Sequence, residues 1–221
     1  GQLEQLWSSE LPYWQIVGGC VPKGGTTEGD PCKPEEGLVF CDDFTGEELD
    51  LGKWKEPCGR DGYRLNDGVL ELGGFSDGAC ILDSRSSYTL GDSTFIFEAR
   101  WKVREREGVG VNISLSEEEK GAIAFFYNSE NGLRGGNANS TSCQEYGPTP
   151  ADITTFITTK FEINSLGGKF YVDNALKLST NQCIPVMEPL RIHFSCISKD
   201  DEEKKCFLDY IKLIQSSPNQ F

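Results

Sequence analysis

The sequence predicts an all-β protein, a β-sandwich of two antiparallel sheets with an N-terminal extension. Three observations predict it. Short segments that alternate, or that are rich in β-branched and aromatic residues, recur along most of the 221-residue chain. Gly, Asn and Asp turn signals separate them. No long amphipathic stretch lies between them, which argues against alternating strands and helices.

The extension comprises residues 1–36 and the sandwich residues 37–221. Leu6, Trp7, Tyr13, Trp14, Ile16 and Val17 crowd large apolar side chains into a segment broken by Pro12. Leu3, Leu6 and Trp7 have helical spacing, and Tyr13 to Val17 is short, aromatic and β-branched enough for a strand. The Gly- and Pro-rich run from Gly18 to Cys32 reads as a linker or a cross-linked loop.

From Gly37 onward the expected strands are Leu38 to Phe44, Tyr63 to Leu72, Thr94 to Val103, Gly110 to Leu115, Ala122 to Tyr127, Ile153 to Ile163, Lys169 to Val172, Leu190 to Ile197 and Phe207 to Ile214. Asn66-Asp67-Gly68, Leu166-Gly167-Gly168 and Asp173-Asn174 punctuate them. A chain of this length buries about two-thirds of its unfolded surface, enough for a core.

The formal charge of −14 disfavours nucleic acid and anionic membranes as partners. No apolar run reaches the roughly 20 residues that span a bilayer. The nine cysteines lack the short paired spacings of zinc or haem sites, so disulfides and an oxidising compartment, secreted or at the cell surface, are expected. The odd count leaves one thiol over. Cys196 pairs with Cys206 across a hairpin turn of charged residues 199–205, and Cys58 with Cys80 is a second candidate. The chain begins at Gly1 without Met, which reads as a processed product. Asn112-Ile113-Ser114 and Asn139-Ser140-Thr141 fit the N-glycosylation pattern, with Asn139, read as lying in a Gly-Gly-Asn-Ala-Asn loop, the better acceptor.

Several motifs carry a resemblance. Val39-Phe40-Cys41-Asp42-Asp43-Phe44 with Lys53-Trp54 resembles an opening strand and turn, and Asp67-Gly68-Val69-Leu70-Glu71-Leu72 the next hairpin. Thr94 to Val103 is similar to a long central strand, Phe170-Tyr171-Val172-Asp173-Asn174 to a Phe-Tyr-Val-Asp-Gly hairpin, and Leu208-Asp209-Tyr210-Ile211-Lys212-Leu213 to a closing Asp-Tyr-Val-Arg-Val strand. Together they resemble the concanavalin A-like jelly roll of laminarinase-like β-glucanases, and the laminin G-like lectin modules of the same architecture.

That resemblance implies a catalytic strand written Glu-x-Asp-x-x-Glu. The corresponding positions here are Ala122, Ala124 and Tyr127, none of which can attack an anomeric carbon or protonate a leaving oxygen. Glu98 is the best remaining carboxylate. His193, the only histidine, has no evident partner in the sequence, which disfavours a triad. The resemblance also implies a structural calcium ion on the convex side, with Asp209 and a Gly68 carbonyl as ligands and Asp43 as a further one.

The function expected from these readings is that of a non-catalytic extracellular structural protein. It would self-associate into an oligomer, filament or surface layer through its N-terminal arm, by adding a strand to a neighbour's sheet. A glycan-binding, lectin-like module that stacks sugars on Trp101, Phe125, Tyr127 or Tyr146 is one alternative. A diverged glycoside hydrolase is the other.

Overall fold

The computed structural model describes residues 30–58, 62–74, 78–117, 121–139, 143–199 and 202–217. The apolar arm residues Leu6, Trp7, Tyr13, Trp14, Ile16 and Val17 lie outside them. The described chain forms two antiparallel sheets. In chain order the strands are β1 (Leu38–Asp42), β2 (Tyr63–Asn66), β3 (Val69–Gly74), β4 (Ala79–Thr89), β5 (Thr94–Val103), β6 (Val109–Glu117), β7 (Gly121–Asn128), β8 (Gly132–Asn139), β9 (Gln144–Pro148), β10 (Ile157–Asn164), β11 (Gly167–Val172), β12 (Ala175–Thr180), β13 (Pro189–Ser198) and β14 (Lys204–Ser216).

One sheet has eight strands in the order β12-β11-β10-β5-β14-β3-β2, with β1 also paired to β14. The other has six, in the order β4-β13-β6-β7-β8-β9. The alternation that marks strands in the sequence is the alternation of core and surface. In β5, Phe95, Phe97, Ala99, Trp101 and Val103 turn inward, and the residues between them are half-buried. They meet Ile113, Ile123, Phe125, Ile192 and Phe194 of the other sheet in one apolar core. Phe97 and Phe161 stack at 4.7 Å within it, and Phe125 meets Phe170 edge-on at 5.5 Å.

Two of the three turn signals are built as their residues dictate, whereas Gly167 and Gly168 of the third belong to β11. Asp67 and Gly68 at the β2–β3 turn both have positive φ, at 50° and 77°, as do Asp173 and Asn174 at the β11–β12 turn, at 48° and 62°. Two central residues in that region match the right-handed twist of the flanking strands.

Four strands are absent from the sequence reading: β4, β8, β9 and β12. On β4 the run Asp83-Ser84-Arg85-Ser86-Ser87 looks like a solvated loop, yet Leu82 and Ser84 are fully buried. On β8, the run Gly135-Gly136-Asn137-Ala138-Asn139 looks like a loop. Its glycines serve close packing instead. A Cβ on Gly135 would stand 3.1 Å from the Phe170 ring and 3.2 Å from that of Phe125.

Among the described residues four disulfides join Cys32 to Cys41, Cys58 to Cys80, Cys143 to Cys183 and Cys196 to Cys206. The last does not close a paired hairpin as expected from its spacing. β13 belongs to the six-stranded sheet and β14 to the other, so the bond crosses the core between two fully buried cysteines. No helix among the described residues is long and apolar enough to cross a membrane.

Candidate functional site on the outer face of the six-stranded sheet

Side chains alternate on each strand, so the residues opposite the core set form a continuous outer face. Register then arranges them in rows. One row runs Asp83, His193, Ser114, Ala124, Gly136, Tyr146 across all six strands. The next runs Ile81, Ser195, Asn112, Phe126, Arg134, Pro148.

The first row contains the partner that His193 was expected to lack. His193 Nδ1 lies 2.8 Å from Asp83 Oδ1, and an ionised carboxylate can only accept, so Nδ1 carries the proton. Lys55 Nζ stands 3.5 Å from the other carboxylate oxygen. The hydrogen bond from His193, with the charges of His193 and Lys55, holds Asp83 below the usual carboxylate range against the opposing effect of burial. The sequence hid this pair because β4, which carries Asp83, does not read as a strand. Ser114 is the in-register neighbour of His193 on β6, but its hydroxyl bonds to Ser116 Oγ at 3.1 Å and is fully buried. The row is therefore an Asp–His pair and not a nucleophilic serine triad.

Around the pair the face is polar and incompletely satisfied. Arg191 donates to Glu117 Oε2 at 2.6 Å. Among the described residues, Asn112 Oδ1, Arg134 Nε and Arg191 Nε are buried on this face without a hydrogen-bond partner. Phe126 and Tyr146 meet edge to face at 5.0 Å.

β7 runs in unbroken register with β6 and β8 and presents Ala122, Ala124 and Phe126 on the outer face. Tyr127, expected beside the two alanines, points into the core, where its hydroxyl donates to the Arg106 carbonyl at 3.2 Å. An unbulged strand cannot bring the first, third and sixth residues to one side. Of the four aromatics expected to stack sugars, Trp101, Phe125 and Tyr127 are core residues and only Tyr146 is on this face.

The other candidate residues lie elsewhere. Glu98 is on the outer face of the eight-stranded sheet, where it accepts from the Tyr210 hydroxyl at 2.5 Å. Beside it, with Arg100, Lys212, Thr158, Asn174 and the segment from Asp30 to Glu35, is a polar cavity. The residues expected to hold calcium are neighbours: Gly68 packs against the backbone carbonyl of Asp43, and Asp209 feels the charge of Asp43. Their donor set fits a divalent cation poorly, because Arg100 Nη1 lies 2.5 Å from Asp209 Oδ2 and fixes a positive charge there. The Asp43 carboxylate accepts from the backbone and side chain of Thr45.

The two sequon asparagines are both placed in strands. Asn112 lies in mid-strand, paired on one side with β13 and on the other with β7. Asn139 ends β8 and is not in a loop, and the rest of its sequon lies outside the described residues.

No protein-family model matches the sequence, and no curated protein matches it significantly. Solved structures do resemble the fold. A Bacillus licheniformis β-glucanase is 13% identical with a TM-score of 0.65, over 82% of this chain and 99% of its own. A laminarinase from Flavobacterium sp. UMI-01 is 18% identical with a TM-score of 0.66, over 80% of this chain and 100% of its own. An endo-β-1,3-glucanase from Pyrococcus furiosus is 14% identical with a TM-score of 0.66, over 81% and 94%. These likenesses overturn the expected non-catalytic structural role: the architecture has its counterparts in glucanases. The chain has the concanavalin A-like jelly-roll fold of β-glucanases and laminarinases.

Proposed function

We propose that the protein is a diverged glycoside hydrolase whose carbohydrate substrate lies on the outer face of the six-stranded sheet. The observation that carries this reading is the Asp83–His193 pair on that face, on the scaffold that the glucanases and laminarinases also use. Histidine is the side chain that changes charge nearest neutrality, and an ionised Asp83 on Nδ1 leaves Nε2 as the nitrogen that exchanges protons with a substrate. As imidazolium, Nε2 gives its proton to the glycosidic oxygen while the carbon–oxygen bond breaks and the electron pair passes to that oxygen. As neutral imidazole it then takes a proton from the water that adds to the anomeric carbon, which restores the starting state. Asp83 is the positioning residue: its carboxylate holds the imidazole ring through Nδ1 and leaves Nε2 toward the face.

The four disulfides suit an oxidising compartment, and we assign the protein to the extracellular side on that ground. The test is release of reducing ends from β-1,3-glucan and mixed-linkage β-glucan. His193→Asn should lower kcat/KM by about 10²- to 10⁴-fold with little change in glycan affinity. Absence of turnover on a broad panel of polysaccharides, or full activity in His193→Asn, would overturn the reading.

A further inference from the structure

The far end of the same face, away from Asp83 and His193, presents a cation with no counter-charge among the described residues, beside an aromatic pair. Arg134 lies on β8 in register with Phe126 of β7 and Pro148 of β9. Its one hydrogen bond among the described residues is from Nη2 to the backbone carbonyl of Tyr146 at 3.0 Å, which holds the guanidinium without neutralising it. The other charged groups here are matched. Arg191 has Glu117 at 2.6 Å, and Asp83 has both His193 and Lys55. The nearest acid on β9, Glu145, turns to the inner side, where the Thr180 hydroxyl donates to it. In a chain with 35 acidic and 21 basic residues, an arginine left without a carboxylate on a partly dry face is costly for folding alone.

The surroundings are those of a sugar subsite. Tyr146 lies across β8 because Gly136 has no side chain: a Cβ there would stand 2.7 Å from Tyr146 Cδ1. The Tyr146 ring thereby reaches Phe126, edge to face at 5.0 Å. Asn112, the in-register neighbour of Phe126 on the opposite side from Arg134, keeps a side-chain oxygen without a partner. An apolar ring face, an amide and an unmatched guanidinium in one row suit a pyranose that carries an anion, since arginine binds planar or branched oxyanions through paired N–H donors.

We infer that Arg134, Phe126, Tyr146 and Asn112 form a subsite for an acidic sugar, a residue bearing a carboxylate or a sulfate. The inference builds on the hydrolase reading by naming a substrate class, but it stands on different residues from the Asp83–His193 pair.

Calorimetric titration of the full chain with three oligosaccharides of equal length tests it: an oligogalacturonate, a sulfated galactan oligosaccharide and a neutral laminari-oligosaccharide. The expected result is affinity for at least one acidic ligand about tenfold or more above the neutral one, falling as salt is added. Which acidic ligand wins tells a carboxylate from a sulfate. Arg134→Met should remove the preference, Arg134→Lys should retain part of it should Met disturb the strand, and Phe126→Ala should weaken acidic and neutral ligands alike. Equal affinity for all three ligands, or an unchanged preference in both Arg134 variants, would overturn the subsite. Acidic-sugar binding that depends on Arg134 without any turnover would sink the hydrolase reading and leave the subsite intact. Turnover of glycan together with equal affinity for all three ligands would do the reverse.

Discussion

Trp54 shows how much one buried side chain does in this fold. It is fully buried between Phe40 and Phe44, with ring centroids at 5.0 and 6.1 Å, and its Nε1 donates to Asp42 Oδ2 at 2.6 Å. Trp54→Ala should cost about 3–5 kcal/mol in chemical denaturation. Trp54→Phe should cost less through packing, but it leaves the buried Asp42 oxygen without its donor. Asp83 has its own signature. Its folded pKa is depressed, chiefly by His193, so the stability it contributes is complete above the ordinary carboxylate pKa and is lost as pH falls through the folded value. Asp83→Asn should therefore flatten the acid limb of stability against pH, measured by melting temperature below about pH 4. An acid limb identical to that of the wild type would mean that the pair is not formed.

At the level of elements, β8 is held by its neighbours and not by its own propensity. Glycine is a poor strand residue, yet Gly135 and Gly136 are the positions where facing rings and the adjacent strand leave no room for a side chain. A Cβ on Gly136 would lie 1.9 Å from the Glu145 carbonyl oxygen. Gly136→Ala should thus separate β9 from β8, which amide exchange would register as lost protection at Tyr146 and its neighbours. The bulge between Leu208 and Tyr210 on β14 is a second local device. The intervening Asp209 is nearly buried against Arg100, and burial raises its pKa more than the arginine lowers it. With a guanidinium as its counter-ion, Asp209 should give the same melting temperature with and without chelator, and a drop of several degrees on chelation would restore the calcium expectation.

For the molecule as a whole, the Cys196–Cys206 bond is the link of widest consequence. It ties β13 of one sheet to β14 of the other through the core, whereas Cys32–Cys41 and Cys58–Cys80 anchor loops to strands β1 and β4. Replacing both Cys196 and Cys206 by alanine should cost about 2–4 kcal/mol. Full reduction should lower the melting temperature by more than that single replacement does.

The residues alone determined the class and most of the order: β5 over Thr94–Val103 reads directly, because every inward residue is apolar and every outward one except Ile96 is polar or charged. The turns at Asp67-Gly68 and Asp173-Asn174 read equally well, since Asn, Asp and Gly most readily take the positive φ that these turns require. Strands stabilised by their neighbours could not be read this way. β4 and β8 look like loops in isolation and become strands only through pairing, β4 along β13 and β8 between β7 and β9, so a period-two pattern is not needed to hold them. The candidate site falls in that gap. His193 and Asp83 are 110 residues apart, and Arg134 meets Phe126 and Tyr146 only through the register of three strands. Which face each side chain takes depends on the absence of a bulge in β7, and that is settled by hydrogen bonds between strands, a property no single segment of sequence contains.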